Sequence, residues 1–287
     1  MALNGGKTYL AQRIIALMPP RCQNSNAPDG NDPGWLHFVE PYAGGLAVLL
    51  ALNPEGISEV VNDKNRELTN FWACLQNERT FAEFQRQAQA IPFSMGEYRD
   101  ACRDMTLGDI ADGYGEFSVV RAVRFFVRCR QSMSGRMKTF TPLTKARTRR
   151  GMNEQASAWL SCVDGLPAVH ERLRRVVVLD SMDALDVIRQ QDGPRTMFYL
   201  DPPYLHETRT GYAPSDYECE MTDEEHVELL STLAECKGKW MLSGYPSRLY
   251  DDFFKDFPHT LHTFDLPNHA AKSDDKRRMT ECLWTNF

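Results

Sequence analysis

The chain has 287 residues, with 33 Lys and Arg against 39 Asp and Glu for a formal charge of −6, and 42% of its residues are apolar. This is the mix of an ordinary globular protein of one large or two modest domains, and it excludes disorder, collagen and coiled coil. The longest apolar run, 46–52, is far shorter than the ~18 residues of a membrane span, so no membrane association is expected.

In chain order, residues 19–34 form a loop rich in turn formers. A strand at 37–40 leads through Pro41, Tyr42, Ala43, Gly44 and Gly45 into an apolar helix at 46–52, which Pro54 ends. A second strand at 59–63 and a second helix at 66–75 follow, and two βα units in succession predict a parallel α/β sheet. From residue 80 to about 164 the strand signal disappears. Phe81, Phe84, Ala88 and Ile91 recur at helical spacing, as do Tyr98, Cys102 and Met105, so a mainly helical region interrupts the sheet. The rhythm resumes with a strand at 176–179, a helix beginning near Met182 and a strand at 197–200. Thr222 and Glu225 predict a capping box for a helix running to about Cys236. Strands at 239–243 and 259–266, a helix at 248–254 between them and a last segment at 280–287 follow.

The charge is unevenly spread. Residues 117–153 contain no acidic residue but hold Arg121, Arg124, Arg128, Arg130, Arg136, Lys138, Lys145, Arg147, Arg149 and Arg150, a local charge of +10 that leaves −16 for the rest. One concentrated basic segment on an acidic chain points to an anionic polymer held at one place, with a solvated surface as the bland alternative. On a helix over 117–131, Arg121, Arg124 and Arg128 fall within ~60° of one another and form a ridge suited to phosphates. The looser tail at 135–150 is the better reader of base edges. The eight cysteines are spread singly, the closest pair 17 apart, which fits neither a disulfide framework nor a zinc site and predicts reduced thiols.

Two places carry chemistry. Gly44 and Gly45 sit where a strand turns into a helix, and Asp63 ends the next strand 19 residues beyond Gly44. An acidic residue at about that interval meets the ribose hydroxyls of a bound nucleoside, although Asn62 and Asp63 also read as a turn. Asp201, Pro202, Pro203 and Tyr204 follow a buried strand, at the carboxyl end where α/β sites form. An aromatic amine has its lone pair delocalised into the ring, so its methylation needs acceptors that hold both N–H hydrogens while positive charge develops. The Asp201 carboxylate and the Pro202 carbonyl are such acceptors, and the Tyr204 ring offers a surface on which a flipped base can stack.

The segments FVEPYAGG, VVNDKNRELTNFW, FYLDPPY, MLSGY and ECLWTNF, in this order, resemble the amino-methyltransferases of DNA, specifically the Dam-type adenine methyltransferases. The resemblance implies a Rossmann-like, mostly parallel sheet of seven strands, with a catalytic domain at 1–76 and 165–287 around a helical target-recognition insert at 77–164. It implies direct methyl transfer from S-adenosylmethionine to the amino group of an adenine flipped out of double-stranded DNA at a specific site. Tyr42, Ala43 and Gly44 would surround the methionine part of the cofactor, Asp63 would bind its ribose, and Asp183 would receive its adenine amino group, with Asp180 as the neighbouring candidate. Lys7 of Gly5-Gly6-Lys7 would lie beside the cofactor. Arg121, Arg124, Arg128, Arg136, Lys138, Arg147 and Arg149 are the candidate DNA contacts. The chain departs from the pattern at Leu46, where the family has glycine or a small residue, and its insert matches no known target motif.

A cytosine amino-methyltransferase, which tends to have Ser in place of Asp201, and a catalytically silent DNA-binding protein are the alternatives. Methylation at cytosine carbon is disfavoured, since no cysteine here follows a proline. His259 and His262 have no third ligand, so no metal is expected. His226 is expected on an exposed helix face, and Phe125, Phe126 and Val127 in the core. The stretch after Lys7 is broken by Gln12 and Arg13, so no signal peptide is expected. The expected setting is the cytoplasm of a bacterial or phage-infected cell, as a monomer or weak dimer, with a cognate restriction endonuclease as a candidate partner.

Overall fold

A computed structural model describes residues 7–22, 34–103, 117–205, 220–267 and 278–287. Gly5, Gly6, Met105, Cys219 and most of the loop at 19–34 lie outside these residues. Along the chain run α1 (Ala11–Leu17), β1 (His37–Glu40), α2 (Ala47–Ala51), β2 (Ser58–Val61), α3 (Arg66–Gln76), α4 (Glu78–Ala90), α5 (Met95–Ala101) and α6 (Val119–Gln131). They are followed by β3 (Thr148–Arg149), β4 (Met152–Asn153), α7 (Glu154–Asp164), α8 (Leu166–Leu173), β5 (Val177–Val178), α9 (Ala184–Gln191) and β6 (Thr196–Leu200). The chain closes with α10 (Asp223–Glu235), β7 (Lys239–Gly244), α11 (Arg248–Phe254), β8 (Thr260–Pro267) and β9 (Arg278–Thr285). The seven-stranded sheet has the order β5-β2-β1-β6-β7-β9-β8. This is the mostly parallel α/β architecture the sequence predicts.

Two compact units divide the chain. The first, residues 1–17, 44–53 and 65–181, is mainly helical. Asn65, Asn77, Ser94, Ser118 and Asn153 cap its helices, each side chain accepting from an amide of the first turn that would otherwise lack a partner. Phe71 is its centre: the rings of Trp72, Phe84 and Phe125 lie 4.8, 5.7 and 5.4 Å away, and Phe126 stacks at 6.1 Å. Phe125, Phe126 and Val127 are buried, as expected. Leu46 caps α2 with φ 53°, a left-handed conformation that costs a branched side chain about 1–2 kcal/mol, and complete burial of the leucine offsets it. A glycine would adopt this backbone freely, which explains the small residue of the pattern.

The second unit, residues 18–43, 54–64 and 182–287, holds six of the strands. Strand β1 pairs in parallel with β2 and with β6, and β6 pairs in parallel with β7. Strand β9 runs antiparallel to both β7 and β8. All five residues of β6 are buried, as a strand covered on both faces requires. The chain builds outward from β1 to β2 on one side and returns to β6 and β7 on the other. Strand order therefore reverses between β1 and β6, and such a switch point opens a crevice at the carboxyl ends of the strands.

Candidate active site

Strands β1 and β6 run the same way and end at Glu40 and Leu200, so Pro41 and Tyr42 emerge beside Asp201 and Pro202. The exit of β1 is tied to that of β2 by backbone bonds: Ala43 N donates to Asn62 O at 2.8 Å, and Asn62 N donates to Glu40 O at 3.0 Å. The Asn62 side chain, 1% exposed, then joins a third loop. Its Nδ2 donates to Pro41 O at 3.2 Å and Met182 O at 2.9 Å, while its Oδ1 accepts from Met182 N at 3.0 Å. One buried amide thus fixes the segments that carry Tyr42, Asp63 and Asp183. The sequence offers Asn62 as part of a strand or of a turn and gives no sign of this role, because its partner Met182 is 120 residues away.

Asp183 caps α9, accepting from Leu185 N at 2.9 Å. It lines a cavity of about 300 Å³ together with Pro41, Tyr42, Lys64, Leu185 and Glu225. Burial holds the Tyr42 phenol well above its usual pKa, and Tyr250, Asp183, Glu225 and Asp63 push it in the same direction. Tyr42 therefore remains a hydrogen-bond donor among carboxylates. The neighbouring candidate, Asp180, accepts from Ser181 Oγ at 3.1 Å and Thr69 Oγ1 at 3.5 Å within the first unit. Gly44 and Lys7 also belong to that unit: the Gly44 carbonyl accepts from Trp72 Nε1, and Lys7 is 2% exposed, with its carbonyl starting α1.

In the tetrapeptide after β6, Pro202 is buried and Asp201, Pro203 and Tyr204 are half-buried. The Tyr204 hydroxyl donates to Asp201 Oδ1 at 3.1 Å, which orients the carboxylate. Tyr250 lies close by; burial raises its pKa and the charge of Asp201 adds to the shift. Its hydroxyl meets His226 Nδ1 at 3.0 Å. His226, expected on an exposed face, is 1% exposed instead. Counting from the Thr222 cap explains this, because residues 226, 229, 230 and 233 share one helix face and Leu229, Leu230 and Leu233 bury it.

A family model of D12 class N6 adenine-specific DNA methyltransferases matches residues 4–103 and 168–272, more than half of the chain. The chain belongs to that family. No curated protein matches it. The base is therefore adenine rather than cytosine, and the enzyme is an adenine-specific DNA methyltransferase with DNA as its substrate. The matched stretches contain Lys7, Tyr42, Ala43, Gly44, Asp63, Asp183 and the Asp201 tetrapeptide. They pass over 104–167, where the basic segment lies.

Within that segment the methyltransferase holds its basic side chains in two ways. On α6, Arg121 Nε donates to Glu67 Oε1 at 2.9 Å, Arg128 approaches Glu67 Oε2 at 3.9 Å, and Arg124 donates to the carbonyls of Asp100, Ala101 and Arg103. Arg121 and Arg128 are only 27% and 25% exposed. Arg136, Lys138, Arg147 and Arg149 are exposed, with Arg147 at 3.9 Å from Glu154. Among the described residues no helix is long and apolar enough to cross a membrane.

Proposed function

We propose that the chain transfers the methyl group of S-adenosylmethionine to the amino group of an adenine flipped out of double-stranded DNA at a specific site. The observation that carries this reading is the emergence of Asp201–Tyr204 at the switch point, beside the β1 exit that lines the cavity. The residues present suit the cofactor. A cavity of about 300 Å³ is at the lower end of the range for small-molecule sites, and its carboxylates can accept from ribose hydroxyls and an adenine amine while favouring a cationic ligand. Asp63 would hold the ribose, Asp183 the adenine amine, and Tyr42 and Ala43 the methionine part.

When bound, S-adenosylmethionine supplies a methyl group already activated on its sulfonium. The protein's own work is to hold the amine. The Asp201 carboxylate and the Pro202 carbonyl accept the two amino hydrogens, drawing the nitrogen lone pair out of the ring system and stabilising the positive charge that develops on it. The Tyr204 ring stacks on the extruded base, a contact of ~1–3 kcal/mol. Residues 77–164 would recognise the target, with Arg136, Lys138, Arg147 and Arg149 reaching the DNA and Arg121, Arg124 and Arg128 holding the helix behind them.

Nucleoside analysis of duplex DNA treated with the protein and S-adenosylmethionine tests the assignment. N6-methyladenine is expected. Asp201→Ala should lower transfer by ~10²–10³-fold or more while the cofactor still binds, because an acceptor used in the transition state is lost. Transfer within about tenfold of wild type in that variant would remove Asp201 from the chemistry.

A further inference from the structure

Beside the tetrapeptide stands an aromatic residue that the chemistry above does not use. Strand β7 lies parallel to β6 with Leu242 opposite Leu200, so the chain leaving β7 emerges next to Asp201–Tyr204. The first residue past Gly244 is Tyr245. Its ring meets the Tyr204 ring edge to face, with centroids 4.7 Å apart and planes at 72°, the geometry that aromatic quadrupoles favour. At its far end, the Tyr245 hydroxyl donates to Glu281 Oε1 at 3.5 Å. Glu281 adjoins Cys282, which faces Gly244 across the antiparallel pair of β7 and β9, and it is 6% exposed. A carboxylate this deeply placed persists only with donors around it, and its position on a paired strand makes it a fixed anchor.

We propose that Tyr245, tethered by Glu281, is a positioning residue that sets the plane of the Tyr204 ring against which the target adenine stacks. This rests on the reading of Tyr204 as the stacking platform. Tyr204 is thereby held at its hydroxyl by Asp201 and at its ring by Tyr245. A platform fixed before the base arrives loses less side-chain freedom when the base stacks, and it presents the amine to Asp201 and Pro202 in one orientation.

Single-turnover methylation of a duplex with one target site tests this in Tyr245→Ala, Tyr245→Phe, Glu281→Gln, Tyr204→Ala and the double variant Tyr204→Ala/Tyr245→Ala, with S-adenosylmethionine affinity measured in each. Tyr245→Ala should slow transfer by ~2–12-fold, the span an edge-to-face ring pair supports, without changing cofactor affinity. Tyr245→Phe keeps the ring and should lose less. Glu281→Gln still offers an acceptor oxygen and should stay within about twofold of wild type. In the Tyr204→Ala background, Tyr245→Ala should cost nothing further, whereas a residue that merely supports the fold would cost the same in both. A wild-type rate in Tyr245→Ala, or an additive loss in the double variant, overturns the tether while leaving the platform intact. A wild-type rate in Tyr204→Ala overturns the platform itself, and the tether with it.

Discussion

Asn62 makes three side-chain hydrogen bonds in a nearly solvent-free position, and each of them crosses between loops. Truncating it strands the donors and acceptors of Pro41 and Met182, and a buried group left without a partner costs about 1–3 kcal/mol. Asn62→Ala should therefore lower the melting temperature and weaken S-adenosylmethionine binding together, because Tyr42 and Asp183 lose their shared support. Asp63 acts differently. Asp63→Ala, at a half-buried position, should lower the melting temperature less than Asn62→Ala does and weaken cofactor affinity by ~10–150-fold, the worth of one charge-assisted bond. Calorimetric titration combined with thermal melting separates the two. If Asp63→Ala binds the cofactor as wild type does, the acidic residue after β2 is only a turn residue, and its interval from Gly44 is coincidental.

Among the elements, those whose signal is local were legible in the sequence. Strand β1 begins and ends at the expected residues, as does α11, and the Thr222–Glu225 box caps α10 with both reciprocal bonds formed. Of the tail expected to be loose, part is the hairpin of β3 and β4. Its turn places Arg150 and Gly151 at φ 54° and 74°, and an arginine in that conformation is not a turn signal that composition reveals. The arginine bond to Ser157 Oγ at 3.0 Å and to its carbonyl at 2.8 Å hold it there. The role of Asn62 was hidden because its partner Met182 lies 120 residues away, whereas the face that buries His226 follows from the local spacing of Leu229, Leu230 and Leu233. The contrast also bears on α6. Helical periodicity groups Arg121, Arg124 and Arg128, but it does not show that Glu67 of α3 receives two of them. Arg121→Ala leaves a half-buried Glu67 with a weaker partner and should destabilise the protein by about 1–2 kcal/mol. Chemical denaturation checks this, and a stability equal to wild type would return Arg121 to the role of a DNA contact.

At the scale of the whole molecule the decisive feature is charge asymmetry. A chain carrying −16 outside residues 117–153 repels a polyanion, and on the reading proposed above the +10 segment is the place where DNA approaches. Within that segment, the side chains with their charge turned to solvent are the ones able to displace counterions from phosphates. Arg136, Lys138, Arg147 and Arg149 are exposed, whereas the α6 arginines are spent on Glu67 and on carbonyls of the same unit. Each phosphate contact removed should flatten the slope of log affinity against log salt by ~0.9. Alanine at all four exposed positions should thus lower the slope by ~3–4, with the melting temperature and S-adenosylmethionine affinity unchanged. The triple variant of Arg121, Arg124 and Arg128 should do the opposite, losing stability while keeping the slope. Titrations of a duplex at several salt concentrations, with melting curves for both variants, decide between the two groups. A full slope in the fourfold variant, or a flattened slope with unchanged stability in the triple one, would move the DNA-binding surface back to the helix.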